Sequence, residues 1–80
     1  MSESRFVTLH FEIDREADGR WIADIVDLPG AISYGATREA ALAAAKALAL
    51  RVLADRLEAG ELAAEKFSDL HFRGRSTAIT

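Results

Sequence analysis

From Phe6 to Asp14 the chain reads FVTLHFEID, with apolar and polar positions alternating along its length. Val7, Leu9, Phe11 and Ile13 fall on one side and Thr8, His10, Glu12 and Asp14 on the other, the period-two pattern of a half-buried strand. Arg15 to Arg20 makes the connection, and Asp18-Gly19 within it is a hairpin turn signal. Trp21 to Val26 reads as a second strand, Trp21, Ala23 and Ile25 alternating with Ile22, Asp24 and Val26. Both of its sets hold apolar residues, so it belongs in the middle of a sheet or beneath another chain. Asp27-Leu28-Pro29-Gly30 interrupts it, because Pro29 has no N–H to offer a sheet. Ile32 to Tyr34 resumes as a short third strand with Ser33 on the opposite face.

After Gly35-Ala36 the pattern changes to a helical period. Thr37 is placed to cap a helix N-terminus, and Glu39 sits where a negative charge favours the first turn. The helix is expected to run to about Ala59, with Gly60 beyond it as the C-terminal stop. Leu42, Ala45, Ala49, Val52 and Leu53 form its central stripe, flanked by Leu50 and Leu57 on one side and Leu48 on the other. The larger apolar residues cover an arc of roughly 200°, wider than one sheet face needs. A second subunit is the expected cover for the surplus, with Leu48 and Val52 as its contacts. Lys46 and Arg56 intrude into the arc and are expected to lay their stems along it. Glu61 to Asp69 reads as a polar crossover with room for a helical turn. Leu70 to Arg73 forms a last short strand, and Gly74 to Thr80 is expected to be loose.

The element order βββαβ defines an α+β fold. Three strands in an antiparallel meander are followed by one long helix, which carries the chain back so that a fourth strand lies parallel to the first. The crossover is right-handed, and the strand order is 3-2-1-4. The helix covers the Val7, Leu9, Phe11 and Ile13 side. The opposite face, with Thr8, His10, Glu12, Ile22, Asp24 and Val26, is left uncovered.

Eighty residues, half of them hydrophobic and 29% charged, make one domain over 1–80. A domain of this size buries only about 60% of its unfolded surface, so a second copy or a partner adds much to its stability. There is no cysteine, hence no disulfide or thiolate metal site. With no signal-peptide pattern and no apolar span, a cytoplasmic location is expected. The net charge of −3 is unevenly placed: residues 1–27 hold seven acids and three bases, residues 28–80 six acids and seven bases. The acidic strand half argues against direct contact with nucleic-acid phosphates and for a basic protein partner, although acidic turns also serve solubility alone.

Candidate chemistry is sparse. His10 and His71 fall on neighbouring strands of the open face, but two histidines without a third ligand make a poor metal site. Glu12, Asp14, Asp24 and Asp69 could be read as a carboxylate cluster for metal-dependent phosphodiester hydrolysis, but no basic patch stands by to hold the phosphate. Ser33 has no histidine partner, and Gly35-Ala36-Thr37 is too short for a phosphate loop. No enzyme activity, cofactor or metal is expected.

Asp18-Gly19-Arg20-Trp21-Ile22-Ala23, Asp27-Leu28-Pro29-Gly30, and Gly35-Ala36-Thr37-Arg38-Glu39-Ala40-Ala41-Leu42 leading into the long helix together resemble the HicB-type antitoxin family over about residues 6–60. The resemblance is to a compact, single-domain subgroup. It implies a partial RNase H-like fold without nuclease carboxylates, binding a small basic HicA-type toxin that cleaves mRNA. It also implies association as dimers or tetramers. Glu12, Asp14, Asp24 and Asp27 are then the expected charged contacts, with Trp21 beside them at the head of the second strand. Larger members carry a DNA-binding segment after this domain. Here about 20 residues follow the helix and read as crossover and strand, so operator binding is not expected. Where family members often have cysteine after the Pro-Gly corner, this chain has Ala31. An orphan oligomeric module without a toxin is the alternative.

Overall fold

The computed structural model describes residues 6–62 and 69–76. Its elements are β1 (Phe6–Arg15), β2 (Trp21–Ile25), β3 (Ile32–Gly35), α1 (Arg38–Glu58) and β4 (Asp69–Ser76). The four strands form one sheet ordered β3-β2-β1-β4, antiparallel except for the β1–β4 pair, which is parallel. This is the architecture expected from the hydrophobic pattern.

Local chemistry sets each corner. In the first hairpin Gly19 N–H donates to the Glu16 carbonyl at 2.9 Å and Glu16 N–H to the Arg20 carbonyl at 2.7 Å. The Asp-Leu-Pro-Gly corner closes with Ala31 N–H on the Leu28 carbonyl at 3.0 Å. Pro29 and Gly30 occupy the two central positions of that turn. Gly30 has φ 91°, which a type II turn requires after its proline. The corner is more than an interruption, because it turns Leu28 and Ala31 inward until both are buried. It also ends β2 at Ile25, one residue earlier than the alternation suggests.

Thr37 caps α1 as expected, its Oγ1 accepting from Ala40 N–H at 3.0 Å. At the other end Gly60 N–H reaches the Leu57 carbonyl at 3.2 Å and Glu61 N–H the Arg56 carbonyl at 2.8 Å, the paired bonds of a Schellman cap. The buried row of the helix is Ala41, Ala45, Ala49 and Leu53. Leu42 and Val52, placed in the central stripe by hydrophobicity, are only half-buried. Alanine wins the centre because it lets the helix axis come close to the sheet. A methyl added at Gly35 would run into the Ala41 amide and the Ala40 carbonyl carbon, so β3 and the first helical turn meet backbone to backbone.

The core joins Leu9 and Ile13 of β1 and Ala23 and Ile25 of β2 to that alanine row. α1 lies mainly over β2 and β3. On β1 and β4, Val7, Phe11, Leu70 and Phe72 pack against the core while staying partly exposed. Lys46 extends over two of them, its Nζ 5.5 Å from the Phe11 ring centre and 5.0 Å from that of Phe72. The charge thus sits against aromatic faces while the stem covers apolar surface. Phe11 in turn fills the space where Gly74, its register partner, lacks a side chain.

β4 is longer than expected. It takes in Asp69 and continues through Gly74 to Ser76, which corrects the expectation of a loose chain from Gly74 onward. Parallel pairing with β1 runs unbroken from Phe6–Asp69 to Ile13–Ser76, and this ladder holds residues whose side chains alone would not define a strand. The helical turn considered between Glu61 and Asp69 falls mostly on 63–68, outside the described residues, as does 77–80. Among the described residues no helix is long and apolar enough to cross a membrane.

Candidate functional site

The face of the sheet opposite α1 is fixed by register. Glu12 pairs with Asp24 and Asp24 with Ile32; Asp14 pairs with Ile22 and Ile22 with Tyr34; Thr8 pairs with His71 and His10 with Arg73. Three zones result. An apolar zone at the β3 side holds Ile22, Ile32 and Tyr34, with Ile32 42% and Tyr34 47% exposed. Glu12, Asp14 and Asp24 form a carboxylate zone in the middle. Thr8, His10, His71 and Arg73 make a polar zone toward β4, where basic groups predominate.

Of the residues expected to contact a partner, Glu12, Asp14 and Asp24 are therefore brought together. Glu12 and Asp24 stand at directly paired positions, where like charges repel, and on its other side Glu12 is the register partner of Arg75. Asp27 lies at the rim of the same face and is already engaged. Its Oδ2 accepts from the His10 backbone N–H at 2.5 Å and lies 3.1 Å from His10 Nδ1. The backbone N–H first, and the imidazole after it, hold the Asp27 carboxyl below the usual carboxylate value, against a smaller opposing effect of burial. Asp27 thus latches the Pro-Gly corner to β1. Trp21 stands elsewhere: its register partners are Arg15 and Gly35, on the helix side, where it packs half-buried against the core with the Arg15 guanidinium carbon 5.5 Å from its ring centre. It is the packing residue that its strand position suggests and does not share a face with the carboxylates.

Leu48 and Val52, expected at an oligomer interface, also pack partly against the core. The large apolar helix residues left exposed are Leu50 at 49% and Leu57 at 37%.

Sequence reasoning placed Ile22 on the open face but left Ile32 and Tyr34 unassigned. A strand of four residues gives no internal evidence of which alternate side chains face the helix. Gly35 carried the missing signal: a position that must admit the helix backbone turns Ser33 the same way and Ile32 and Tyr34 the other. Tyr34 is further held by Arg20, whose guanidinium carbon lies 4.5 Å from its ring centre. Asp18 positions that guanidinium with a 2.8 Å bond to Nε and a 3.0 Å bond to the Arg20 backbone N–H. That backbone N–H and then the guanidinium lower the Asp18 carboxyl below its ordinary value.

Two shallow depressions mark the β1–β4 side. One of about 450 Å³ is lined by His10, Phe11, Glu12, Val26, Arg73 and Gly74, the other of about 340 Å³ by Thr8, His71, Phe72 and Arg73. The expected neighbourhood of His10 and His71 is present, on adjacent strands one rung apart. Among the described residues no three histidine, aspartate or glutamate side chains converge as a metal group. The face offers a broad surface of alternating chemistry, suited to contact with another macromolecule. No family model, no curated protein and no solved structure matches this chain.

Proposed function

We propose that this chain is a HicB-like antitoxin, a non-catalytic binding module that neutralises a small basic HicA-type toxin by docking it on the open sheet face. The observation that carries the reading is the contiguity of Glu12, Asp14 and Asp24 with half-buried Ile22 and exposed Ile32 and Tyr34 on one uncovered surface. Carboxylates steer a basic partner and set its orientation, and the adjoining aliphatic and aromatic side chains supply area that excludes water once contact is made. A tyrosine braced by an arginine is the kind of pre-ordered anchor that concentrates binding energy. The fold order agrees with the one that the family resemblance implies. In this reading the protein acts in the cytoplasm and blocks mRNA cleavage by covering the toxin, with no cofactor and no chemistry of its own.

The test is co-expression with a small basic reading frame adjacent to the gene, followed by co-purification and rescue of growth. A stable complex that restores growth is expected. Replacing Asp14 and Asp24 together by lysine should abolish rescue and remove much of the salt dependence of binding. A complex indifferent to that double change would move the docking surface off this face. A neighbour that neither binds nor harms cells would overturn the antitoxin reading and leave an orphan binding module.

A further inference from the structure

Within the open face one cation lacks a counter-charge. His10 and Arg73 are register partners on β1 and β4, and basic groups directly across a ladder repel when both are charged. Asp27 answers only the first of them: its Oδ2 accepts from the His10 backbone N–H and stands 3.1 Å from Nδ1. Among the described residues Arg73 makes no hydrogen bond, ion pair or ring contact. Glu12 and His71 beside them already interact within the fold and are not needed as ligands.

Space accompanies the charge. The depression of about 450 Å³ is lined by His10 and Arg73 together with Val26 and Gly74, and all four are exposed. A guanidinium offers a planar fork of N–H donors that matches a carboxylate. With Nδ1 committed to Asp27, Nε2 is the ring's remaining polar atom and becomes a second donor when the imidazole is protonated.

We infer that this depression receives an aspartate or glutamate side chain of the docked protein, held by Arg73 and His10, which rests on the reading that a protein docks on this face. The order of charges favours a protein over a nucleic acid. Asp24 lies two strands across from Arg73 and two residues along, which sheet spacings put at about 12 Å between Cα atoms. A phosphate backbone leaving Arg73 across the sheet meets Asp24 and Asp14, whereas a folded protein presents acid to the one site and base to the other. The footprint therefore fixes orientation, with acid toward β4, base over the centre and apolar groups over Ile32 and Tyr34. A partner turned end for end would set like charges together, a penalty that excludes the wrong pose.

Two measurements on the full chain test this. In the free protein, sodium acetate replaces chloride at constant ionic strength while nuclear magnetic resonance follows the arginine Nε–H and histidine ring signals. Arg73 and His10 should shift saturably, and Arg51 and Arg56, exposed on α1, should not. Arg73→Gln should abolish the saturable shift at His10, with circular dichroism confirming the fold. No saturation at Arg73, or an equal response at Arg51, would overturn the proposal. In the complex with the adjacent basic protein, Arg73→Glu should weaken binding about ten- to a hundredfold, and Arg51→Glu should leave it unchanged. A complex indifferent to Arg73→Glu would overturn the proposal even with acetate bound in the free protein. A single-stranded RNA hexamer that saturates the Arg73 signal where acetate does not would also overturn it, giving the site to a phosphate. If the adjacent protein fails to bind at all, the antitoxin reading falls, and the acetate titration still decides the carboxylate site.

Discussion

The two faces of this sheet are written in the same strands, one residue out of step, and they are built to different demands. On the helix side Leu9, Ile13, Ala23 and Ile25 are enclosed by an alanine row that brings backbone close to backbone. Size governs there: a methyl group more or less is felt at once. On the open side Glu12, Asp14, Asp24, Ile22, Ile32 and Tyr34 touch solvent, and little in the fold requires those particular residues. What the covered face spends on stability, the open face is free to devote to recognition. The comparison teaches that side-chain choices on the open face are informative about partners, whereas those on the covered face are informative about packing.

The sharpest way to break that contrast is to truncate isoleucine on each side of the sheet. Ile13→Ala on the covered face should cost about 3 kcal/mol in urea unfolding, because the fully enclosed site leaves a cavity. Ile22→Ala on the open face should cost less than about 1 kcal/mol. Equal losses would mean that the open face is itself covered in solution. Next in size, Gly35→Ala should destabilise by about 1–3 kcal/mol, since the added methyl meets helix backbone, including the Ala40 carbonyl carbon at 2.9 Å, which no rotamer change can move. A neutral outcome would show that α1 can lift from β3 without loss.

The smallest effect concerns Asp27. Its carboxyl is held below the ordinary value of 3.8, chiefly by the His10 backbone N–H. A depressed folded value means that the ionised carboxylate favours the native state. Its contribution is present above about pH 4 and is lost as pH falls through the folded value. Urea unfolding of Asp27→Asn and of the wild type should therefore differ at pH 6 and converge toward pH 3. A difference of constant size would assign the latch to shape rather than charge.

The strand order and the parallel β1–β4 pair were legible because each rests on a rule with few exceptions: period two for Val7 to Ile13, a capped helix after Thr37, and one crossover to a partner strand. The carboxylate zone followed from the same alternation. Other features depend on distances along the chain that local pattern cannot span. His10 and Asp27 are 17 residues apart and meet only because the Pro-Gly corner folds back on β1. Leu28 and Ala31 look like loop residues until the type II turn points them inward. Leu42 outranks Ala41 on any hydrophobicity scale, yet closeness of approach gives the alanine the buried position. Gly74 to Ser76 lack the side chains of a strand and are ordered by the ladder that β1 supplies.

The chain contains one tryptophan and one tyrosine, and the sheet lies between them. Trp21 packs half-buried on the helix side, and Tyr34, one rung away and on the other face, looks outward beneath the Arg20 guanidinium. The molecule thus carries two optical reporters with separate fields of view. Indole emission follows the closure of the covered face and reads unfolding, whereas phenol emission and its quenching follow what settles on the open one. A ligand for the open face should alter the tyrosine signal while leaving the tryptophan spectrum nearly still.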